Sequence, residues 1–179
     1  MEKIKWLVIS YNLPTEPSRH RVAIWRGLKK IGAVNIQQSM WILPDKDENY
    51  SSLQKLSQDI ESNDGESLLM ESVFFEESHE ERVILLFNSM RDEEYLEFVR
   101  ECDKYLKEIE KEIAKEKFTF SELEEEEAEF EKLLSWYKKI EARDIFHSSC
   151  KEEAVETMDK IKDAYENYSE MVYQKNVIG

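Results

Sequence analysis

The sequence predicts an α+β protein: a β-α-β-β-α-β unit built on an antiparallel sheet, followed by an antiparallel three-helix bundle. Three observations predict it. In the first 75 residues, short apolar runs alternate with amphipathic segments and are punctuated by Pro14, Gly32, Pro44 and Gly65. After Gly65 the chain holds no glycine until Gly179. Beyond residue 78 the apolar residues recur at steps of three and four, the spacing of one helical face.

Lys5 to Leu13 (KWLVISYNL) is apolar, β-branched and aromatic, and reads as a buried strand ended by Pro14. Ser18, behind Pro17, is placed to cap a helix from Arg19 to Ile31, with Val22, Trp25, Leu28 and Ile31 on its buried side and Gly32 stopping it. Ala33 to Leu43 reads as two short strands meeting near Gln38 and Ser39, without the glycine that usually marks such a turn. Tyr50 to Ser62 carries Leu53, Leu56 and Ile60 at helical spacing, Asn63-Asp64-Gly65 is a turn, and Ser67 to Phe75 is a further strand. This order is the ferredoxin-like pattern, four antiparallel strands with two helices on one face.

Ser78-xx-Glu81 has capping-box spacing and opens the helical part. Val83 to Met90 fits a helical lead-in or a strand. Tyr95, Val99, Cys102, Leu106, Ile109 and Ile113 form one stripe, and Ala154, Met158, Ile161, Tyr165, Tyr168 and Val172 form another. Phe130, Leu133, Tyr137 and Ile140 give a shorter one between them. Ser121-xx-Glu124 and Ser149-xx-Glu152 are read as caps for the second and third helices, and the short Phe118-Thr119-Phe120 link makes neighbours antiparallel. The expected division is therefore 1–77 and 78–179, packed as one compact unit.

At 179 residues and 21.4 kDa the chain is one ordinary domain, or a small domain with an appended subdomain. Its 41% hydrophobic residues exclude a disordered chain, and the sequence has no apolar run long enough to span a bilayer. The apolar stretch near the N-terminus has no small-residue cleavage site behind it, so a cytoplasmic location is expected. The net charge of −15 argues against a chain-wide affinity for nucleic acid or anionic lipid. That average hides a split, because residues 1–44 carry a net +5 and residues 45–179 a net −20. A polyanion would meet the first quarter of the chain.

The most distinctive text is PSRHRVAIWRGLKKIGAVNIQQSMWILP, Pro17 to Pro44, preceded by WLVISYNLP. It resembles the N-terminal domain of the chromate-resistance proteins called ChrB. There, a strand ending in Leu-Pro leads to Pro-Ser-Arg, a helix bearing Arg and Trp, Gly-Ala, and a Gln-Ser-x-Trp-x-Leu-Pro strand. The similarity continues through Phe87, Arg91-Asp92, Tyr95, Phe118-Thr119-Phe120, Glu122, Trp136 and Ala142-Arg143-Asp144-Ile145-Phe146. Two-domain members of the family carry a further C-terminal domain associated with the chromate response, and the sequence stops before it.

Residues 5–75 more distantly resemble the small CRISPR-associated adaptation-subunit nucleases and the related domain of PaaX-type repressors. In the nucleases an Asp closing the first strand is the expected metal ligand across a dimer axis. The matching dipeptide here is Tyr11-Asn12. A neutral amide oxygen does not supply the carboxylate charge that such a metal site needs.

Arg19, Arg21, Arg26, Lys29 and Lys30 lie on one short segment without an acidic residue between them. They read either as a phosphate-facing helix or as a solvated face paired with acids elsewhere; with Ser18 they also form the best oxyanion site in the chain. His20, His79 and His147 lie in different segments and have no i,i+4 partner of ligand type; His147 and Cys150 have a ligand-like gap, but at a helix entry where Ser149 is read as the cap. Cys102 falls on a core stripe, and neither it nor Cys150 has the neighbours of a nucleophile. The acidic run Glu122 to Glu127 reads as compensation of a helix dipole, Arg143-Asp144 as an ion pair at a helix corner, and Trp6, Trp25, Trp41 and Trp136 as core or interface anchors.

No phosphate loop, dinucleotide fingerprint or catalytic triad order is present, so no catalytic residue, metal or cofactor is expected. The expectation is a non-enzymatic regulatory or accessory protein that binds DNA through the basic helix in control of chromate or metal-stress resistance. It is expected to be a homodimer joined through its first strand and the Gln38 to Leu43 strand, with no membrane association. A divergent metal-dependent nuclease, and an interaction module docking a separate chromate-domain protein, are the competing readings.

Overall fold

A computed structural model describes residues 3–178. The elements run β1 (Trp6–Asn12), α1 (Ser18–Lys30), β2 (Val34–Gln37), β3 (Met40–Pro44), α2 (Asp47–Ser62), β4 (Glu66–Ser72), α3 (Glu77–Ala114), α4 (Phe120–Arg143) and α5 (Lys151–Tyr173). The chain is α+β, with one four-stranded antiparallel sheet and five α-helices among the described residues. It divides into two compact units, Met1–Leu86 and Phe87–Gly179, with the boundary inside α3.

In the first unit the strands stand in the order β2-β3-β1-β4. β1 is paired on both sides: Trp6 faces Pro44 on β3 and Ser72 on β4, and Ile9 faces Trp41 and Leu69. Consecutive side chains on a strand point to opposite faces, and Trp6, Leu7, Val8 and Ile9 are all buried. Both faces of β1 are therefore covered, which is why it reads as a continuous apolar run rather than an alternating one. Trp41, Ile42 and Leu43 on β3 are buried as well. The expected dimer surface on these two strands is thus already covered within a single chain. β4, an edge strand, contains no buried residue.

Turns and helix ends show where local signals misplaced a boundary. The β2–β3 turn places Gln38 at φ 35°, a left-handed conformation held by the Asn35 amide, which donates to the carbonyls of Gln38 at 2.6 Å and Met40 at 3.1 Å. A side-chain amide does here what a glycine does in most such turns. Ser18 is the first residue of α1 rather than its cap, because Pro17 occupies that position. α1 ends at Lys30, and Gly32 turns the chain just beyond it with a φ of 84°, a left-handed conformation that favours a residue without a Cβ. α2 starts at Asp47, where Asp47 and Glu48 oppose the dipole of its first turn, rather than at Tyr50. β4 stops at Ser72, short of the expected Phe75, which is 93% exposed.

The caps of the long helices also differ from the sequence reading. α3 begins at Glu77, so Ser78 lies within its first turn, and Val83 to Met90 is helical. α4 is capped by Thr119, whose hydroxyl accepts from the Glu122 amide at 3.2 Å, and not by Ser121. α5 has Cys150 at the cap position and no side-chain cap of its own. The Ser148 hydroxyl accepts from the Cys150 amide at 3.2 Å and shares the task with Asp92 of α3. The Asp92 Oδ1 accepts from the Cys150 amide at 3.4 Å, from the Ser149 hydroxyl at 3.5 Å and, more closely, from the Ser148 hydroxyl. A carboxylate at a helix N-terminus is a stronger acceptor than a serine hydroxyl.

α3, α4 and α5 share one core in the second unit. Tyr95, Phe98, Cys102, Tyr105 and Ile109 from α3 pack with Leu133 and Ile140 from α4 and with Ala154, Ile161, Tyr168 and Val172 from α5. Phe130 stacks on Tyr165 at 5.0 Å, and Phe98 meets Trp136 edge-on at 5.6 Å. The core tyrosines carry their hydroxyls to acceptors: Tyr95 to Asp144 at 3.0 Å, Tyr105 to the Glu126 carbonyl at 3.2 Å and Tyr168 to the Lys117 carbonyl at 2.6 Å.

Gly65 joins α2 to β4 where there is no room for a side chain. A Cβ there would lie 2.5 Å from the Asn12 carbonyl oxygen and 2.7 Å from Ile60 Cγ2. At Gly27 the nearest atom is the mobile end of Leu56, at 2.6 Å. Gly65→Ala is expected to destabilise the protein by about 2 kcal/mol, and Gly27→Ala by less than about 1 kcal/mol because Leu56 can move and alanine favours the helix. Urea unfolding of the two variants checks this.

Candidate nucleic-acid interface

α1 is oriented by a narrow apolar stripe. Ile24 and Leu28 are buried, and His20, Gly27 and Ile31 beside them are half-buried. The expected stripe of Val22, Trp25, Leu28 and Ile31 advances by three residues at every step. Three residues fall about 60° short of a full turn, so that stripe winds across half the helix and only its end faces inward. Val22 and Trp25 consequently point to solvent, at 42% and 49% exposure. The signal that finds the true face is the tighter set of residues 20, 24, 27, 28 and 31, spaced four, three, one and three apart.

All six residues expected at the site, Ser18, Arg19, Arg21, Arg26, Lys29 and Lys30, are exposed on α1. The structure brings them together on one helix. Lys29 Nζ stands 5.6 Å from the centre of the Trp25 ring. Among the described residues, none of these cations forms a salt bridge: Lys5 pairs with Glu71, and the other ion pairs lie in the second unit. The first turn of α1 holds no acidic residue and its last turn holds Lys29 and Lys30.

A second feature lies at the ends of β1 and β4. Ser10, Tyr11, Asn12, Glu61, Glu66 and Ser67 line an open cleft of about 610 Å³. Burial raises the Tyr11 hydroxyl above its ordinary range, and a hydrogen bond with Trp41 opposes the shift. Asn12 is exposed there with Glu61 and Glu66 in the same cleft. Among the described residues no group of three or more His, Cys, Asp or Glu side chains is placed to hold a metal ion.

The residues Arg91-Asp92, Tyr95 and Arg143-Asp144 form a polar corner in the second unit. Arg143 pairs with Glu94 at 2.9 Å rather than with its neighbour Asp144, which accepts from Tyr95 and from the Ser148 amide at 2.9 Å. Arg91, only 1% exposed, shares Glu94 at 3.5 Å, and burial lowers its pKa while Glu94 counters the shift. The sequence reading missed Glu94, and it named Asp92 without its role, because the partners of both lie some 50 residues further along the chain. Cys102 is buried, and its thiol is pushed up to about 12, so it stays protonated and unreactive near neutral pH.

These features define a class: an α+β chain whose sheet unit presents an exposed, unpaired basic helix, and whose second unit is helical. Residues 21–178 match the sequence model of the N-terminal part of protein ChrB. The chain belongs to this ChrB N-terminal family. It is similar to protein ChrB of Cupriavidus metallidurans, 31% identical over 96 residues, a match covering 54% of this chain and 29% of that protein. The match thus spans less than a third of the relative's length. No solved structure matches the chain. Arg21, Arg26, Lys29 and Lys30 fall inside the family match, and Ser18, Arg19 and Asn12 precede it. No helix among the described residues is long and apolar enough to cross a membrane.

The acidic run of α4 contains one residue the sequence reading did not single out. Glu126 is 7% exposed, and its carboxyl is pushed up to about 7 by burial first and then by Glu108, Glu112, Glu122 and Glu129. Lys117 compensates two of these neighbours, Glu112 at 3.1 Å and Glu122 at 3.5 Å. An acid whose folded pKa is raised favours the protonated fold, so its contribution to stability falls as pH rises from the ordinary carboxyl value of 4.5 to about 7, then levels off. Glu126→Gln is expected to melt higher than the wild type at about pH 8, with the gap closing towards about pH 5. Thermal melts of both proteins across that range test the assignment.

Proposed function

We propose that this chain is a non-enzymatic regulatory or accessory protein of chromate or metal-stress resistance, working in the cytoplasm and binding DNA through α1. The observation that carries the reading is the state of the basic helix. A solvated helix face on a protein with a net charge of −15 has abundant acids to pair with, yet the five cations of α1 are in no ion pair among the described residues. Unpaired guanidinium and ammonium groups on one face are ready to neutralise phosphates, with the release of counterions as the driving force. A helix about 10–12 Å across fits a major groove about 12 Å wide.

We read the β2-β3-β1-β4 order as the ferredoxin-like arrangement and the second unit as a three-helix bundle. A homodimer is part of the proposal, because two copies present two basic helices to two half-sites. With β1 and β3 covered, the sheet has two edges, β2 and β4; we take the longer, β4, as the pairing surface, and its Leu68 is 68% exposed. Two-fold antiparallel pairing centred on Leu69 sets Glu66 opposite the second copy's Ser72, Ser67 opposite Glu71 and Leu68 opposite Met70, so no two carboxylates face each other. Sedimentation equilibrium is expected to give twice 21.4 kDa for the wild type and the single mass for Leu68→Lys. A wild-type monomer at tens of micromolar would remove the dimer.

Duplex DNA affinity is expected to fall by at least about tenfold between about 50 and about 200 mM salt, and Arg21→Ala with Lys29→Ala to weaken binding and flatten that dependence. Titration of a labelled duplex at the two salt concentrations measures both. Binding insensitive to salt, or no binding, contradicts the reading. In the same mixtures Mg²⁺ or Mn²⁺ should leave DNA and RNA uncut, and cleavage abolished by Asn12→Ala would transfer the assignment to the nucleases.

A further inference from the structure

We infer that Trp25, with Val22, contacts nucleobases, so that α1 grips both the backbone and the bases of a nucleic acid; this rests on the nucleic-acid reading of the same helix. The inference starts from an exposure that burial energetics does not explain. Trp6 and Trp41 are buried and Trp136 packs on Phe98, whereas Trp25 leaves about half of its surface in water. Val22, one turn earlier on the same side, is exposed too. A lone exposed apolar residue is ordinary, but two adjacent ones in the middle of a cationic helix face form an anchor.

The surrounding charges select the occupant. Arg19, Arg26 and Lys30 run along one flank of the Val22–Trp25 stripe and Arg21 lies on the other, by their helical positions. Lys29 engages one face of the indole. A ligand that satisfies the whole face offers regularly spaced anions with flat apolar rings between them. Nucleic acid has that construction: phosphates meet the cations, and base rings or thymine methyl groups meet the indole and the valine. Trp25 can stack on an unpaired base or press against base edges in a groove. The contacting chemistry is the same, and the strandedness of the probe tells the two apart.

The test uses three probes with the full chain: a labelled mixed-sequence duplex, one of its strands alone, and heparin, a polyanion without bases. Trp25→Ala is expected to weaken binding to the duplex or the single strand about tenfold while leaving heparin affinity and the salt dependence unchanged, and Trp25→Phe to retain most of the binding. Loss on the single strand alone identifies stacking, and loss on the duplex identifies groove contact. Arg26→Ala, by contrast, should weaken all three probes and lower the salt slope by about one. Because Trp25 is exposed, the variant should fold, and an unchanged circular dichroism melt verifies it; the wild type's Trp25 emission, isolated by subtracting that of Trp25→Phe, should be quenched by DNA and not by heparin. Undiminished DNA binding by Trp25→Ala would overturn the base contact while leaving the phosphate-binding role of α1 intact, and would assign the stripe to a protein partner. An equal loss on heparin would also overturn it. Failure of the wild type to bind either nucleic acid would overturn both the functional reading and this inference.

Discussion

The inward packing of Ile24 and Leu28 sets the rotation of α1, and the face it offers to solvent follows from that. Gly27, between them, brings the helix against Leu56 of α2. With these residues inward, helical geometry leaves the arginines, the lysines, Val22 and Trp25 no position except the outer side. The functional surface is thus the complement of a packing decision. A helix rotated by a single residue would bury Trp25 and turn part of the cationic face into the sheet unit, where guanidinium groups would lose water without gaining partners.

The sheet beneath obeys a similar logic. β1 stands between β3 and β4 and is apolar on both faces, so it cannot serve as an edge or carry exposed chemistry along its length. What it contributes lies at its end, where Ser10, Tyr11 and Asn12 emerge into the cleft beside Glu61 and Glu66. An amide at the strand end, where the distantly similar nucleases have a carboxylate, is neutral, and a divalent ion is held by charge as much as by geometry. The edges of the sheet fall to β2 and β4, and on β4 two glutamates blunt uncontrolled pairing while the leucines and the methionine remain available to a matched copy.

In the second unit, polar contacts between distant residues make the corner that three helices share. Asp92 caps α5 from α3, Asp144 receives Tyr95 and the Ser148 amide, and Glu94 is shared by Arg91 and Arg143. The buried Arg91 beside the half-buried Arg143 is tolerated because a carboxylate lies between them. The residues that carry the family resemblance here, Arg91-Asp92, Tyr95 and Arg143-Asp144, are therefore explained by architecture, and the candidate site is left to α1.

The sequence alone determined the α+β character, the order of the elements and the approximate extent of all but the start of α3, the three core stripes of the helical part and the concentration of positive charge on one early helix. Periodicity, punctuation and charge counting are local properties, and they survive any arrangement of the pieces. It could not determine which side of α1 faces inward, because a three-residue recurrence and a mixed three-and-four recurrence both look amphipathic over thirteen residues, and only contact with α2 and the sheet selects between them. Nor could it locate the caps of α4 and α5, since Ser121 and Ser149 have the right spacing, but Thr119 accepts the Glu122 amide, and Ser148 and Asp92 share the Cys150 amide. The exposure of Trp25, the burial of Glu126 and what covers the apolar faces of β1 and β3 were decided by the tertiary structure, because burial depends on neighbours that lie far away in the chain.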